Sequence, residues 1–181
     1  MKISDILAGW YDDHKRDLPW RRTEDPYAIW VSEIILQQTR VAQGIDYYEH
    51  FLKRFPDLQS LANAEIEDVL RVWQGLGYYS RARNMHAAAR QMIRDFGGVF
   101  PATYPELLTL KGIGPYTASA IASIAFNEPK AVMDGNVHRV MARLFGLFDP
   151  PGLSGSACNT CRKADALLDR ARPGIHNQAV M

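Results

Sequence analysis

The sequence predicts an all-α fold, because apolar residues recur at helical spacing almost throughout and the strict alternation of a half-buried strand is nearly absent. Helix stops and starts are equally legible. Asp25-Pro26 opens a helix, Phe55-Pro56 closes one, and Gly75 and Gly77 bracket a turn. With 181 residues, 47% hydrophobic and 23% charged, the chain is long enough for one well-buried core or two small lobes.

In order, Ile6, Leu7, Trp10 and Tyr11 mark a first helix. A second runs from Asp25-Pro26 through AIWVSEIILQQ. Val41, Ile45, Tyr48, Leu52 and Phe55 make a third, and Ile66, Val69, Leu70 and Trp73 another. Met85, Ala88, Ala89, Met92 and Phe96 form a helix ended by Gly97-Gly98. LKGIGPYTA, residues 110–118, reads as a helix-hairpin-helix: Gly112 and Gly114 permit a tight turn with exposed amides, and Pro115 suits a first helical turn. Those amides would face a DNA phosphate or a cation, with the backbone of Lys111 and Ile113 as the cation's candidate holders; the alternative is an ordinary helix-helix turn. Ala118, Ala122 and Ala125 give the following helix a small face. Val137, Val140, Met141 and Leu144 mark the next helix, and FDPPGLSGS a turn-rich linker. Ala164, Leu167, Leu168 and Ala171 suggest a short helix. Pro173-Gly174 opens a last one with too few residues after it to complete, which reads as a truncated end.

No stretch approaches a membrane span, and the N-terminus lacks a secretory pattern, so a soluble, cytoplasmic location is expected. Two cysteines argue against a disulfide scaffold. Net charge is only +1, so a polyanion partner must be sought locally. From Arg71 to Arg94 there are five arginines and His86 with no Asp or Glu, interleaved with Trp73, Tyr78 and Tyr79. Such a segment can neutralise phosphates and stack on bases; it can also be a solvated helix face over core aromatics.

Two carboxylates stand in opposite settings. Glu33 lies in an apolar helix with Ile29, Trp30 and Leu36 on its side, so desolvation is expected to favour the neutral, proton-donating acid; the alternative is a solvent-facing position. Asp134 precedes the helix that Gly135 and Asn136 begin, where amides and the helix dipole favour an ionised carboxylate; the alternative is a simple N-cap. One neutral and one ionised carboxylate are the asymmetric pair that glycosidic cleavage uses.

LPWR (18–21), DPYAIWVSEIILQQTRV (25–41), WQGLGYYSRARN (73–84), LKGIGPYTA, MDGNVHRV (133–140) and HNQAVM (176–181) together resemble the helix-hairpin-helix DNA glycosylases, and within them the MutY-type adenine glycosylases. The resemblance implies two helical lobes, residues 18–127 and residues 1–17 with 128–181, with the active site between them. It implies a base-excision enzyme that removes adenine mispaired with 8-oxoguanine or guanine from duplex DNA, acting as a monomer on the bacterial nucleoid. Glu33 would protonate the base, and Asp134 would stabilise the sugar cation. Tyr116 stands where strand-cleaving relatives carry a catalytic lysine, which implies a monofunctional enzyme.

Gln38 and Thr39 resemble residues facing the oxidised guanine, and Tyr78 the wedge into the base stack. Arg21, Trp20 and Gln178 resemble the lining of the adenine pocket, although Trp20 also suits a core position. Trp30, Ser80, Arg81, Gly112, Gly114 and Asn136 complete the implied contacts to substrate and DNA. The family's [4Fe–4S] cluster sits on four cysteines beyond HNQAVM. This sequence does not contain them, and Cys158 and Cys161 form a CxxC elsewhere, so no cofactor is expected to be encoded. A catalytically impaired DNA-binding fragment of the same fold is the alternative reading.

Overall fold

The computed structural model describes residues 2–147 and 159–181. Among them every regular element is helical: α1 (Ile3–His14), a 3₁₀ turn (Pro19–Arg21), α2 (Pro26–Ile35), α3 (Val41–Arg54), α4 (Leu58–Ala62), α5 (Ile66–Val72), α6 (Ser80–Phe96), α7 (Tyr104–Leu107), α8 (Pro115–Phe126), α9 (Gly135–Phe145), α10 (Asn159–Leu167) and α11 (Pro173–Val180). The all-α expectation therefore holds. Among the described residues no helix is long and apolar enough to cross a membrane. The FDPPGLSGS linker and Cys158 lie outside the described residues.

The chain divides into two compact units, Asp17–Ala118 and Met1–Arg16 with Ser119–Met181. The division falls inside α8 rather than after Asn127. Sequence shows where a helix ends but not where a continuous helix passes from one core to another.

In the unit Asp17–Ala118, α2 is started by Asp25, whose carboxylate accepts from the Tyr27 amide at 3.1 Å, with Pro26 in the first turn. It buries Tyr27 through Ser32, Ile34 and Ile35, so it is the central helix of this unit. Trp30, Trp73, Phe51 and Phe55 are fully buried, and they pack edge-on or tilted, as ring quadrupoles prefer. Phe51 lies 5.2 Å from Phe55 and 6.0 Å from Trp73, and Trp30 lies 5.7 Å from Phe100. The Tyr27 hydroxyl donates to the Phe55 carbonyl at 2.8 Å, and burial pushes its phenol well above the ordinary value. Helix α6 ends as expected, on Gly97 in the left-handed conformation at φ 63°. The short helices α4 and α7 were not visible in the periodicity. Each is fixed by a capping box, Asp57 with Ser60 and Thr103 with Glu106.

In the other unit, α1 presents a different face from the one expected. Ser4, Ala8 and Tyr11 are buried, while Ile3, Ile6 and Trp10 are 47%, 51% and 52% exposed. Small residues let α11 approach α1 closely, and apolar spacing alone did not reveal that. Helix α10 stops at Leu167 instead of continuing to Ala171, because the Asp169 carboxylate accepts from the Ala171 amide at 3.1 Å and from Arg172 Nε at 3.0 Å, stabilising a turn. The last helix, α11, spans Pro173–Val180. It buries Pro173, Gly174, His176, Asn177, Ala179 and Val180. A Cβ on Gly174 would stand 2.8 Å from the Ser123 carbonyl oxygen, so only glycine lets α11 lie against α8 there.

His176 is 4% exposed, and its Nδ1 has no hydrogen-bond partner. Burial holds its imidazole below the ordinary histidine value of 6.5. The unfolded chain takes up this proton first, so stability is lost as pH falls from about 6.5 toward the lowered folded value, and is insensitive to this group above it. We expect the melting temperature to fall between about pH 7 and pH 5.5, and His176→Gln to flatten that dependence. A wild-type profile as flat as the variant's would refute the assignment.

Candidate active site

Glu33 stands in α2 between Ser32, 2% exposed, and Ile34, 4% exposed, and is itself half-buried. It is neither sunk in the core nor a freely solvated surface group. Trp30, one turn earlier, is fully buried, and its Nε1 has no hydrogen-bond partner. In the same unit Trp20 and Arg21 lie in the 3₁₀ turn, both half-buried, with the Trp20 ring 5.4 Å from Tyr48 in an edge-on contact. Tyr116 is the second residue of α8 and half-buried.

Helix α2 ends at Ile35, earlier than the expected run through Gln38. The cause is Arg81. Its Nη1 donates to the carbonyls of Ile34 at 3.1 Å, Ile35 at 3.0 Å and Gln37, and to Thr39 Oγ1 at 3.4 Å; its Nη2 donates to the carbonyls of Leu76 at 3.2 Å and Gly77 at 3.4 Å. The last carbonyls of a helix lack intrahelical donors, and a cation at the negative end of the dipole satisfies them. The chain then turns through Gln38, which is exposed and left-handed at φ 57°. Thr39 follows, half-buried, its amide donating to the Leu36 carbonyl at 3.2 Å.

Tyr78 occupies the turn between α5 and α6. Gly75 and Gly77 have φ of 99° and 69°, and Tyr78 itself is left-handed at φ 45°. The turn holds its ring 64% exposed, an unusual setting for so large an apolar surface. Ser80, exposed, begins α6.

The basic segment is thinner than its composition suggested. Trp73 and His86 are buried, Arg71 is paired with Asp68 and Arg94 with Asp95, and Arg81 is turned inward onto carbonyls. Burial lowers the Arg81 pKa. Its Nη1 and Nη2 groups are directed at five backbone carbonyls and the Thr39 hydroxyl, while its buried Nε has no hydrogen-bond partner among the described residues. Arg83 and Arg90 remain exposed.

The hairpin between α7 and α8 needs one glycine for its geometry. Gly112 has φ 78°, and a Cβ there would meet the Asn84 Cβ at 2.6 Å; Gly114 has neither constraint. Gln91 clamps this turn. Its Oε1 accepts from the Lys111 amide at 3.2 Å and its Nε2 donates to the Thr109 carbonyl at 3.1 Å. Ile113 is buried and its amide donates to Leu110 at 3.2 Å. The amides of Gly112 and Gly114 have no acceptor among the described residues, which leaves two donors available beside exposed Lys111.

In the unit containing both termini, Asp134 caps α9. Its Oδ1 accepts from the Val137 amide at 2.7 Å and its Oδ2 from Asn136 Nδ2 at 3.1 Å. The carboxylate is half-buried, with Gly135 and Asn136 exposed. The irregular segment leading to it is held by Asn177, a residue that sequence reasoning missed. Buried Asn177 accepts from the Val132 amide at 3.2 Å and donates to Ser123 Oγ and to the Lys130 carbonyl, both at 2.8 Å. Gln178 accepts from the Tyr11 hydroxyl at 3.0 Å. Neither Asn177 nor Gln91 carries a local signal, because each acts on backbone distant in sequence.

Among the described residues no group of three or more His, Cys, Asp and Glu is gathered as a metal requires. A [4Fe–4S] cluster needs four thiolates. The chain has two cysteines, one of them outside the described residues, so the residues present do not fit that group.

Residues 31–152 match the model of the HhH-GPD superfamily base excision DNA repair proteins. The chain is 46% identical to the adenine DNA glycosylase of Rattus norvegicus and 47% identical to that of Homo sapiens, over 97% of its own length in both cases. It spans only 36% and 34% of those relatives, about one third of their length. Among solved structures it is similar to a thermostable thymine-DNA glycosylase, with a TM-score of 0.88 and 27% identity, covering 98% of this chain and 82% of that one.

Proposed function

Because the chain belongs to the HhH-GPD superfamily of base excision DNA repair proteins, we propose that it is a monofunctional adenine DNA glycosylase acting on adenine opposite 8-oxoguanine or guanine in duplex DNA. The observation that carries this reading is Glu33, half-buried on a helix where Ile29, Trp30, Ser32 and Ile34 are buried around it. A carboxyl group so placed can hold a proton and deliver it to a base brought against it.

The duplex is engaged first. The unpartnered amides of Gly112 and Gly114 and the start of α6 at Ser80 donate to the phosphate backbone, Tyr78 enters the base stack, and Gln38 and Thr39 face the base opposite adenine. Inserted side chains offset part of the few kcal/mol that extruding a base costs. The adenine is received by Trp20 and Arg21, both half-buried in the 3₁₀ turn.

Glu33 then protonates adenine N7. The C1′–N9 bond breaks with its electron pair going to the base, and the cationic sugar is stabilised by the Asp134 carboxylate, which Asn136 helps to orient. Water adds at C1′ and gives its proton to the Glu33 carboxylate, which restores the acid. Tyr116 offers no amine, so no imine forms and the strand stays intact. No step needs a second copy, a membrane or a resident metal.

A single-turnover assay on duplex DNA with adenine opposite 8-oxoguanine, beside a binding titration on the same duplex, tests the reading. Free adenine with an intact strand is expected. Binding without release would reduce the chain to a DNA-binding module, and absence of both would remove the DNA reading altogether.

A further inference from the structure

We propose that Arg81 is a positioning residue for substrate recognition: its one guanidinium ties the loop after α2, which carries Gln38 and Thr39, to the turn that carries Tyr78, so that the two act as one rigid surface. What those two segments recognise rests on the adenine glycosylase reading; that Arg81 couples them does not.

The coupling is in the bond pattern. Nη1 serves the α2 side, reaching Ile34, Ile35, Gln37 and Thr39, while Nη2 serves the turn, reaching Leu76 and Gly77. The cation also lies over the rings of Trp73 at 5.3 Å and Tyr78 at 5.7 Å. A planar fork with five N–H donors can span two loops in this way, whereas the point charge of a lysine cannot.

Both segments hold a residue in strain. Among the described residues only Gln38, Tyr78 and Asn127 are non-glycine residues at positive φ, and Arg81 braces the segments of the first two. Such conformations persist only where the surroundings over-determine them, and they gather at functional sites. Six interactions on backbone and hydroxyl oxygens supply that over-determination. They also leave Arg81 little with which to neutralise a phosphate.

Arg81→Ala and Arg81→Lys separate these roles. In the free protein, hydrogen exchange at residues 36–39 and 75–79 should accelerate about tenfold or more in both variants, with the unit containing the termini unchanged. In binding, preference for the mispaired over the matched duplex should fall by about tenfold in both, while the slope of log K against log salt stays at the wild-type value. The proposal is overturned if the slope falls by about one in the alanine variant and not in the lysine variant, which is the mark of a phosphate ligand. It is also overturned if lysine restores discrimination, or if exchange rises evenly through Asp17–Ala118 with discrimination intact. Should the wild type itself not prefer the mispair, the glycosylase reading fails, and the exchange measurement still decides whether Arg81 couples the loops.

Discussion

Glu33→Gln should reduce single-turnover adenine excision by about 10² to 10⁴ or more while folding and duplex binding persist. Glutamine keeps the shape of the side chain and its capacity to accept hydrogen bonds, so the α2 packing around Ser32 and Ile34 has no reason to change. What disappears is the transferable proton. Adenine expelled as an anion is a poor leaving group, and the same carboxylate is needed again to take the proton of the incoming water, so both halves of the reaction suffer. The measurement is the excision rate with protein in saturating excess over duplex, alongside the melting temperature and the affinity. Excision by Glu33→Gln at close to the wild-type rate would sink the assignment of Glu33 as the acid. A collapse of folding would instead show that its role is structural.

Asp134→Asn should lower the excision rate by about 10² to 10³, because a neutral amide cannot stabilise the cationic sugar as a carboxylate does. The choice of asparagine matters. Asp134 caps α9 through the Val137 amide, and asparagine caps helices as well as aspartate does, so the helix start survives. The contact from Asn136 Nδ2 is exchanged for a less favourable one, at a cost of about 1 kcal/mol. Asp134→Ala would forfeit the cap as well, at about 0.5 to 2 kcal/mol, and would mix stability with chemistry. Single-turnover rates and thermal melts of both variants separate the two contributions. If Asp134→Asn retains wild-type excision and only the alanine variant is impaired, through its stability, Asp134 is a cap and nothing more.

The helices themselves were legible because their causes are local. Asp25-Pro26 starts α2 with a cap and a preset φ, Gly97 ends α6 in the left-handed conformation, and the spacing of Met85, Ala88, Ala89 and Met92 marks the buried face. Glu33 and Asp134 were singled out for similar reasons, one by an apolar helix around it and the other by the helix start after it. Tyr78 stood out beside two glycines, which do take positive φ.

Other features depended on which distant groups met. The exposed Ile6 and Trp10 were expected inside, yet α11 packs on the opposite, small-residue face of α1. The end of α2 was placed too late because the donor that satisfies its last carbonyls lies more than forty positions along the chain, in Arg81.

By itself, then, the sequence determined the helical class, the caps and turns that bound most helices, and the two carboxylates worth testing, since capping, periodicity and glycine freedom act within a few residues. Only tertiary structure decided that Arg81 turns its guanidinium onto carbonyls of two loops, that Gln91 clamps the hairpin and that Asn177 holds the approach to Asp134. The physical reason is that a buried polar side chain must find its partner wherever the fold supplies one, and nothing in the residues beside it records where that will be.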